Sequence, residues 1–522
     1  MRKILRFLLI LNPVALASSR IPEIKNSSLK LSDPLILIFL SSALFLGWSL
    51  GANDAANVFG TAVGSRMVSF TKAAFICGIF VILGAVVSGA GAAQTLGKLG
   101  SINAIGGSFM AALAAGLTVY WMTRLGLPVS STQAIIGSIM GWNFFSDSYT
   151  DLTSLFKILS TWIICPVLSA FIASLIFALA RKFVRVIRIG LIRLDGYTRL
   201  ALILSGAFGA YSLGANNIAN VMGVFVPVSP FQAMQLTDDL LISSAQQLFL
   251  IGGLAIAIGV FTYSKRVMMT VGSELMRLTP LAAWVAVMAH SIVLFLFASE
   301  QLEQWLASLN LPTIPLVPVS SSQAVVGAVI GIGMAQGGHE VHWNRLFSII
   351  KGWFLTPLIS CMICFFGLFF LQNVFLQSVK NETRFQLSES VLEKLKNNGI
   401  HFTGLKDLEN TTYSTSGNLT RTLREHGKLN NDDALKAIEF AELKRIRLDP
   451  GKMDQLDESL LTENQRMTLG QLKGQRFNHT WEFKDALMEL SEEWQIQGGL
   501  KNKLSDRKTL QKLSYLHRHF LE

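Results

Sequence analysis

The sequence predicts an all-α polytopic membrane protein, an inverted-repeat architecture with broken helices, followed by a soluble, mainly helical C-terminal region. Three observations carry that prediction. Of 522 residues, 51% are hydrophobic and only 15% charged, with a mean hydropathy of +0.44, whereas soluble domains usually approach one-quarter charged. Ten apolar segments are joined by loops whose charge alternates. Two polar motifs in the first half return, in the same order, in the second.

The chain opens with Arg2, Lys3 and Arg6, an apolar run, and the small-x-small pattern Ala15-Leu16-Ala17, so residues 1–20 resemble a cleavable signal peptide. Asn12 and Pro13 interrupt the run and leave an uncleaved N-terminus as the alternative. Segments apolar enough to span a bilayer fall at 34–59, 72–93, 102–122, 127–143, 157–180, 200–223, 243–263, 281–299, 313–334 and 347–372. These form a first transmembrane repeat over 34–180, a basic loop over 181–199 and a second, inverted repeat over 200–372.

Retained cations mark the cytoplasmic side. Arg181, Lys182, Arg185, Arg188, Arg193 and Arg199 follow the fifth segment, and Lys265, Arg266 and Arg277 follow the seventh. The loops with Asp147 and Asp151, Asp238 and Asp239, and Glu300 and Glu303 contain no Lys or Arg. The expected orientation is therefore in a plasma or inner membrane, with the N-terminus and the C-terminal region on the outer face. Residues 1–372 hold 22 Lys and Arg against 12 Asp and Glu, while 373–522 hold 23 against 22. The basic excess belongs to the membrane part, where it sets orientation; no basic patch with interleaved aromatics suggests nucleic acid.

The four cysteines, Cys77, Cys165, Cys361 and Cys364, lie in apolar stretches and give no disulfide framework. Cys361 and Cys364 have redox or zinc spacing without a second pair, so packing explains them better. No motif for a cofactor appears. Beyond Gln372 the composition turns charged, with helical patches at 388–397, 432–448 and 482–494, and no motif that assigns a role.

The repeat decides the architecture. Gly51-Ala52-Asn53-Asp54-Ala55-Ala56-Asn57 returns 163 residues later as Gly214-Ala215-Asn216-Asn217-Ile218-Ala219-Asn220. Pro128-Val129-Ser130-Ser131-Thr132-Gln133 returns 190 residues later as Pro318-Val319-Ser320-Ser321-Ser322-Gln323, and Trp162 and Pro166 return as Trp353 and Pro357. The first echo joins span one to span six, an odd shift, so the halves cross in opposite senses. Transporters of this symmetry bind substrate and ions near the midplane on interrupted helices.

The motifs suit that task. A proline followed by three hydroxyl residues and Gln starts a helix N-terminus rich in donors, which fits an oxyanion without a buried Lys or Arg. The competing explanation, that Pro-x-Ser-Ser caps an ordinary helix with its hydroxyls bonded back to the preceding turn, is weakened by the duplication. Asp54 is the one carboxylate well inside a predicted span, and such a charge is costly unless it works or is paired. With Asn53 and Asn57 beside it, the site expects a hard cation such as sodium, or a proton. His290 in the eighth span and Lys351 at the start of the tenth are the other notable polar residues; His290 has no echo, so an interior hydrogen-bonded histidine is expected there rather than a proton relay.

GANDAANVFGT with PVSSTQAIIG, repeated as GANNIANVMG with PVSSSQAVVG, resembles the inorganic phosphate transporter family, the PiT-type permeases that include sodium- and proton-coupled symporters, over residues 34–372. The resemblance implies phosphate bound between the repeats, cation sites beside it, and a homodimer. By motif position it implies an anion site drawing on Ser130, Ser131, Thr132, Gln133, Ser320, Ser321, Ser322, Gln323, Asn57 and Asn220. Cation binding would fall to Asn53, Asp54, Asn216 and Asn217. One departure stands out: where many members have Asp in the second motif, this chain has Asn217, which puts a second cation site in doubt.

The expected function is secondary-active phosphate symport by alternating access, driven by sodium or protons, with sulfate permeation as the alternative. A remote third reading is an intramembrane hydrolase using Ser131, His290 and Asp54. It fails because the serine motif is duplicated and the histidine is not.

Overall fold

The computed structural model describes residues 34–100, 102–124, 129–187, 190–232, 234–237, 240–271, 278–337, 343–400, 408–456, 461–497 and 503–521. The signal-like segment 1–20, Pro128, Arg188, Asp238, Asp239 and Arg277 lie outside them. The first half folds as α1 (Pro34–Gly64), α2 (Phe70–Ser88), α3 (Ala90–Leu99), α4 (Ile105–Arg124), α5 (Ser131–Ser146) and α6 (Leu152–Ile187). The second half is α7 (Leu191–Met222), the hairpin β1 (Met234–Thr237) and β2 (Leu240–Ile242), α8 (Ser244–Thr262), α9 (Ser264–Val271), α10 (Pro280–Ala298), α11 (Glu300–Ser308), α12 (Ser321–Ala335) and α13 (Trp343–Asn373).

All ten expected apolar segments are helical, but they are not ten spans. Among the described residues seven helices are long and apolar enough to cross a bilayer alone: α1, α2, α4, α6, α8, α10 and α13. Helix α7 has the length, with Arg193, Asp195 and Arg199 in its first turns. Helices α5 and α12, with 16 and 15 residues, reach only about 24 and 22 Å at 1.5 Å per residue, short of a hydrocarbon core of about 30 Å. The expected spans at 127–143 and 313–334 are therefore half-helices.

Two further expectations are corrected. The asparagine motifs do not interrupt their helices: Gly51–Asn57 lies inside uninterrupted α1 and Gly214–Asn220 inside uninterrupted α7. Of the two echoed motifs, only the serine motif begins a new helix in each half. The expected basic loop 181–199 is helical at both ends, residues 181–187 prolonging α6 and 191–199 opening α7. Arginine stems prolong a helix readily, with their charged heads free to reach past the apolar band.

Small residues set the packing between halves, and they do so in pairs. A Cβ at Gly51 would lie 1.9 Å from the carbonyl oxygen of Ile256, and one at Gly214 2.1 Å from that of Val81. A Cβ at Gly137 would lie 2.1 Å from the oxygen of Pro357, and one at Gly327 2.2 Å from that of Pro166. Each half thus seats α1 or α7 against the second helix of the other half, and each half-helix against the proline-bearing long helix of the other. On α6 the exposed residues Ile163, Val167, Phe171 and Leu175 recur every four positions, the lipid-facing stripe of a membrane helix.

The C-terminal region is a duplicated small unit. Its first copy is β3 (Phe385–Gln386), α14 (Glu389–Asn397), β4 (Thr412–Tyr413), α15 (Ser416–Glu425) and α16 (Asn431–Ala441). The second is β5 (Ile446–Arg447), α17 (Pro450–Met453), α18 (Glu463–Gln471), β6 (Arg476–Phe477), α19 (Thr480–Leu490) and α20 (Lys503–Phe520). The bridge Phe385 to Glu442 is matched by Ile446 to Leu521. Buried Leu419 and Leu423 in one core are matched by Phe483 and Leu487 in the other, and Ala434, Ala437 and Ala441 by Leu513, Leu516 and Phe520. The helical patch expected at 432–448 ends at Ala441, because Ile446 and Arg447 pair as a strand with β6.

The first copy docks on the C-terminal end of α5. Thr415 Oγ1 donates to Asp147 Oδ2 at 2.7 Å, the Tyr149 amide to Ser416 Oγ at 2.9 Å, and Thr153 Oγ1 to Asp432 Oδ1 at 2.7 Å. The linker is pinned too, with Trp142 Nε1 donating to the Val379 oxygen at 3.1 Å and Asn103 and Asn381 bonded through backbone and side chain.

Candidate functional site

Each half-helix begins from extended backbone. Ser130 (φ −93°, ψ 115°) and Ser320 (φ −82°, ψ 112°) are N-caps, accepting from the amides of Gln133 and Gln323, each at 3.2 Å. For these two serines the simple capping role holds. Because the caps bind their own first turns, the next residues, Ser131 and Thr132 or Ser321 and Ser322, are left at the helix N-termini, buried at mid-protein.

The asparagine motifs meet them there. Asn53 Nδ2 donates to Asp54 Oδ1 at 3.0 Å, and its counterpart Asn216 Nδ2 to Asn217 Oδ1 at 3.0 Å. Asn217 Nδ2 then donates to Asp54 Oδ2 at 2.6 Å, joining α7 to α1. Ser131 Oγ donates to the same carboxylate oxygen at 3.4 Å. The second asparagines cross between halves: Asn57 Nδ2 reaches Ser321 Oγ at 2.9 Å, and Asn220 Nδ2 reaches Thr132 Oγ1 at 2.9 Å. Asn216 also clasps Val319, accepting from its amide and donating to its oxygen, both at 2.8 Å, and Thr132 Oγ1 donates to that oxygen at 3.0 Å.

Seven sequence-predicted residues therefore belong to one network, joined in part through Val319: Asn53, Asp54, Ser131, Thr132, Asn216, Asn217 and Asn220; Asn57 and Ser321 form a separate bonded pair. Ser320 and Ser322 bond each other at 3.1 Å. Gln133 and Gln323 are buried, with carboxamide oxygens that have no partner among the described residues, as has Asn220 Oδ1. The residue that sequence reasoning set aside is His290. It is fully buried on α10, and its Nε2 lies 2.9 Å from Ser321 Oγ. A lone histidine without an echo gave no signal of that contact.

Asp54 is 2% exposed and has no Lys or Arg partner among the described residues. Three donors occupy three of the roughly four lone-pair directions a carboxylate offers, leaving one for a cation or a proton. A carboxylate beside carboxamide and hydroxyl groups suits a hard cation; no cluster of His, Cys, Asp and Glu fit for a metal ion occurs among the described residues. His290 contacts Ser321, whereas Asp54 contacts Ser131, so no serine has both a base and an acid in line.

Residues 50–302 and 306–454 match the profile described as PHO4, phosphate transporter family. The match passes the expected limit at 372 and takes in the first C-terminal copy. A protein of Thermococcus kodakarensis named "Putative phosphate permease" is 27% identical over 409 residues, covering 64% of this chain and 97% of the relative. One of the same name from Methanocaldococcus jannaschii is 28% identical over 339 residues, covering 65% and 97%, and one from Chlamydia pneumoniae is 23% identical over 441 residues, covering 66% and 99%. A solved structure titled "The sodium-dependent phosphate transporter" aligns with a TM-score of 0.49 at 23% identity, over 65% of this chain and 100% of that one.

Proposed function

The chain belongs to the phosphate transporter family, and from that premise we propose that it carries inorganic phosphate across the membrane together with a sodium ion or a proton, by alternating access between two inverted repeats. As a member of a transporter family it is not an enzyme. The observation that carries the proposal is the bond network that links both asparagine motifs, the first serine motif and, through Val319, the second serine motif to one carboxylate.

Inversion is supported by where the half-helices end. Helix α5 runs from the network to the face where α6 begins and the C-terminal region docks. Helix α12 runs the other way, its Ala335 sharing a cleft with Arg181, Lys182 and Arg185 at the far end of α6. Two helix N-termini thus approach the centre from opposite faces, each presenting the positive end of its dipole and free amides to an anion. Arg199 Nη1 donates to the Met67 oxygen at 2.7 Å and Lys265 stands over the Phe70 ring at 5.8 Å, so the cations gather on the α12 side. Cation retention supports a cytoplasmic α12 side and an external C-terminal side.

Coupling follows from charge. An interior-negative membrane opposes anion entry by about 2.3 kcal/mol per charge per 100 mV, and a cation taken up at Asp54 offsets it. The half-helix N-termini and hydroxyls would hold the phosphate; Asp54, with Asn53, Asn216 and Asn217, would hold the cation. Asn220 Oδ1, on the carboxamide that donates to Thr132, is a buried acceptor with no donor among the described residues. A phosphate bearing P–OH groups can supply that donor and sulfate at neutral pH cannot, which favours phosphate of the two. The test is radiolabelled phosphate uptake into proteoliposomes with sodium and pH gradients imposed separately and sulfate as competitor. Uptake under one gradient, resistant to sulfate, is expected; no phosphate flux under either refutes the proposal.

A further inference from the structure

The serines at matching places in the two repeats, Ser131 and Ser321, are not bonded alike. Ser131 gives its proton to Asp54 Oδ2. Ser321 Oγ instead sits 2.9 Å from Asn57 Nδ2, which can only donate, and 2.9 Å from His290 Nε2, which can donate or accept. His290 Nδ1 is buried with no partner among the described residues.

That empty nitrogen discriminates between the tautomers. Were Nε2 the acceptor, the neutral ring would carry its hydrogen on Nδ1, a buried N–H without an acceptor. A doubly protonated ring would leave the same orphan N–H and add a buried charge with no carboxylate bonded to it. With the hydrogen on Nε2, the ring leaves only a lone pair unfilled and the leftover donor is instead the Ser321 O–H, which stands at the N-terminus of α12 where the anion of the proposed site can accept it. Orphaned buried donors are the rarer and costlier case. Nε2–H therefore donates to Ser321, and together with Asn57 it fills both lone pairs of the hydroxyl oxygen. The Ser321 proton then has no acceptor among the described residues.

We propose that His290 is a positioning residue for the anion: by donating to Ser321 it obliges that hydroxyl to present its proton to the guest. Ser131 needs no such partner, because Asp54 already fixes its proton. The inference rests on the anion site proposed above, and it assigns His290 a place in that site without direct contact with phosphate.

Phosphate uptake by the full-length protein in proteoliposomes tests it with His290→Leu, His290→Gln and Ser321→Ala. His290→Leu frees Ser321 to turn away and raises KM about tenfold or more, the scale of a hydrogen bond to a charged group, while the maximal rate changes less than about threefold. His290→Gln, whose amide can donate from nearly the same point, restores KM. In the Ser321→Ala background His290→Leu adds nothing. An unchanged KM in His290→Leu, no rescue by Gln, or full additivity with Ser321→Ala overturns the proposal. The tautomer is read independently on the unmutated protein, by long-range proton–nitrogen correlation with labelled histidine, His290 being assigned by its loss in His290→Gln. A hydrogen on Nε2 supports the proposal and one on Nδ1 overturns it. That reading holds whichever anion is carried, so absent phosphate flux would sink the transport reading and leave this one to stand or fall alone.

Discussion

Replacing Asn217 by Asp exchanges the shortest bond in the network for a repulsion. Asn217 Nδ2 lies 2.6 Å from Asp54 Oδ2; an aspartate there cannot donate and would face a like charge. Even if the two carboxylates relax to about 4 Å, unit charges at an effective dielectric of about 20 repel by about 4 kcal/mol. That equals about three decades in an equilibrium constant. The site can relieve the repulsion only by taking up a second cation or a proton. Asn217→Asp should therefore unfold at lower temperature than wild type without sodium at alkaline pH, and recover when sodium is added. In proteoliposomes its phosphate uptake should depend more steeply on sodium or proton concentration, with one more positive charge carried per anion. Thermal denaturation across a sodium series, paired with flux and current, provides the assay. Equal stability and an unaltered cation dependence in Asn217→Asp and wild type would refute the reasoning, since they would mean that residues 54 and 217 do not share one electrostatic site.

Further perturbations follow from the same geometry. Asp54→Asn removes the lone carboxylate and should abolish gradient-driven accumulation while leaving phosphate exchange measurable by counterflow. Gly137→Ala and Gly327→Ala push a Cβ to 2.1 and 2.2 Å from the oxygens of Pro357 and Pro166; each should cost about 1–3 kcal/mol by overpacking and lower the unfolding temperature. Gly97→Ala, in open space within a helix, should not lower it. Deleting residues 380–522 removes the bonds of Asn381, Thr415, Ser416 and Asp432 to the membrane part. It should reduce thermal stability, read by fluorescence-detected unfolding, and leave the preference for phosphate over sulfate unaltered.

Hydropathy located ten of the thirteen helices up to Asn373, missing the short α3, α9 and α11 as separate elements, because burial in lipid or protein demands long apolar runs, and the motif echoes paired the halves. Hydropathy cannot tell a half-helix from a span when the extended residues leading into it, such as Val317 and Val319, are apolar too. The placement of the interruption failed for a different reason. Helices α1 and α7 run on through Gly51 and Gly214, which serve as close-packing points against the backbone of Ile256 and Val81, and a helix tolerates glycine where a neighbour fills the space. His290 was legible as a buried hydrogen-bonded histidine, but with no echo in the other half nothing in the sequence tied it to Ser321. The C-terminal duplication escaped notice because its two cores use different side chains at matching places, alanines in α16 against Leu513, Leu516 and Phe520 in α20.

The account stands on one shared anion site between the half-helices. A cryo-electron microscopy map of the protein with phosphate and sodium tests it most directly. The expected result is anion density within hydrogen-bond reach of Thr132 and Ser321, with a cation beside Asp54. Density elsewhere, or the two serine motifs lying apart with lipid or protein between them, would contradict it.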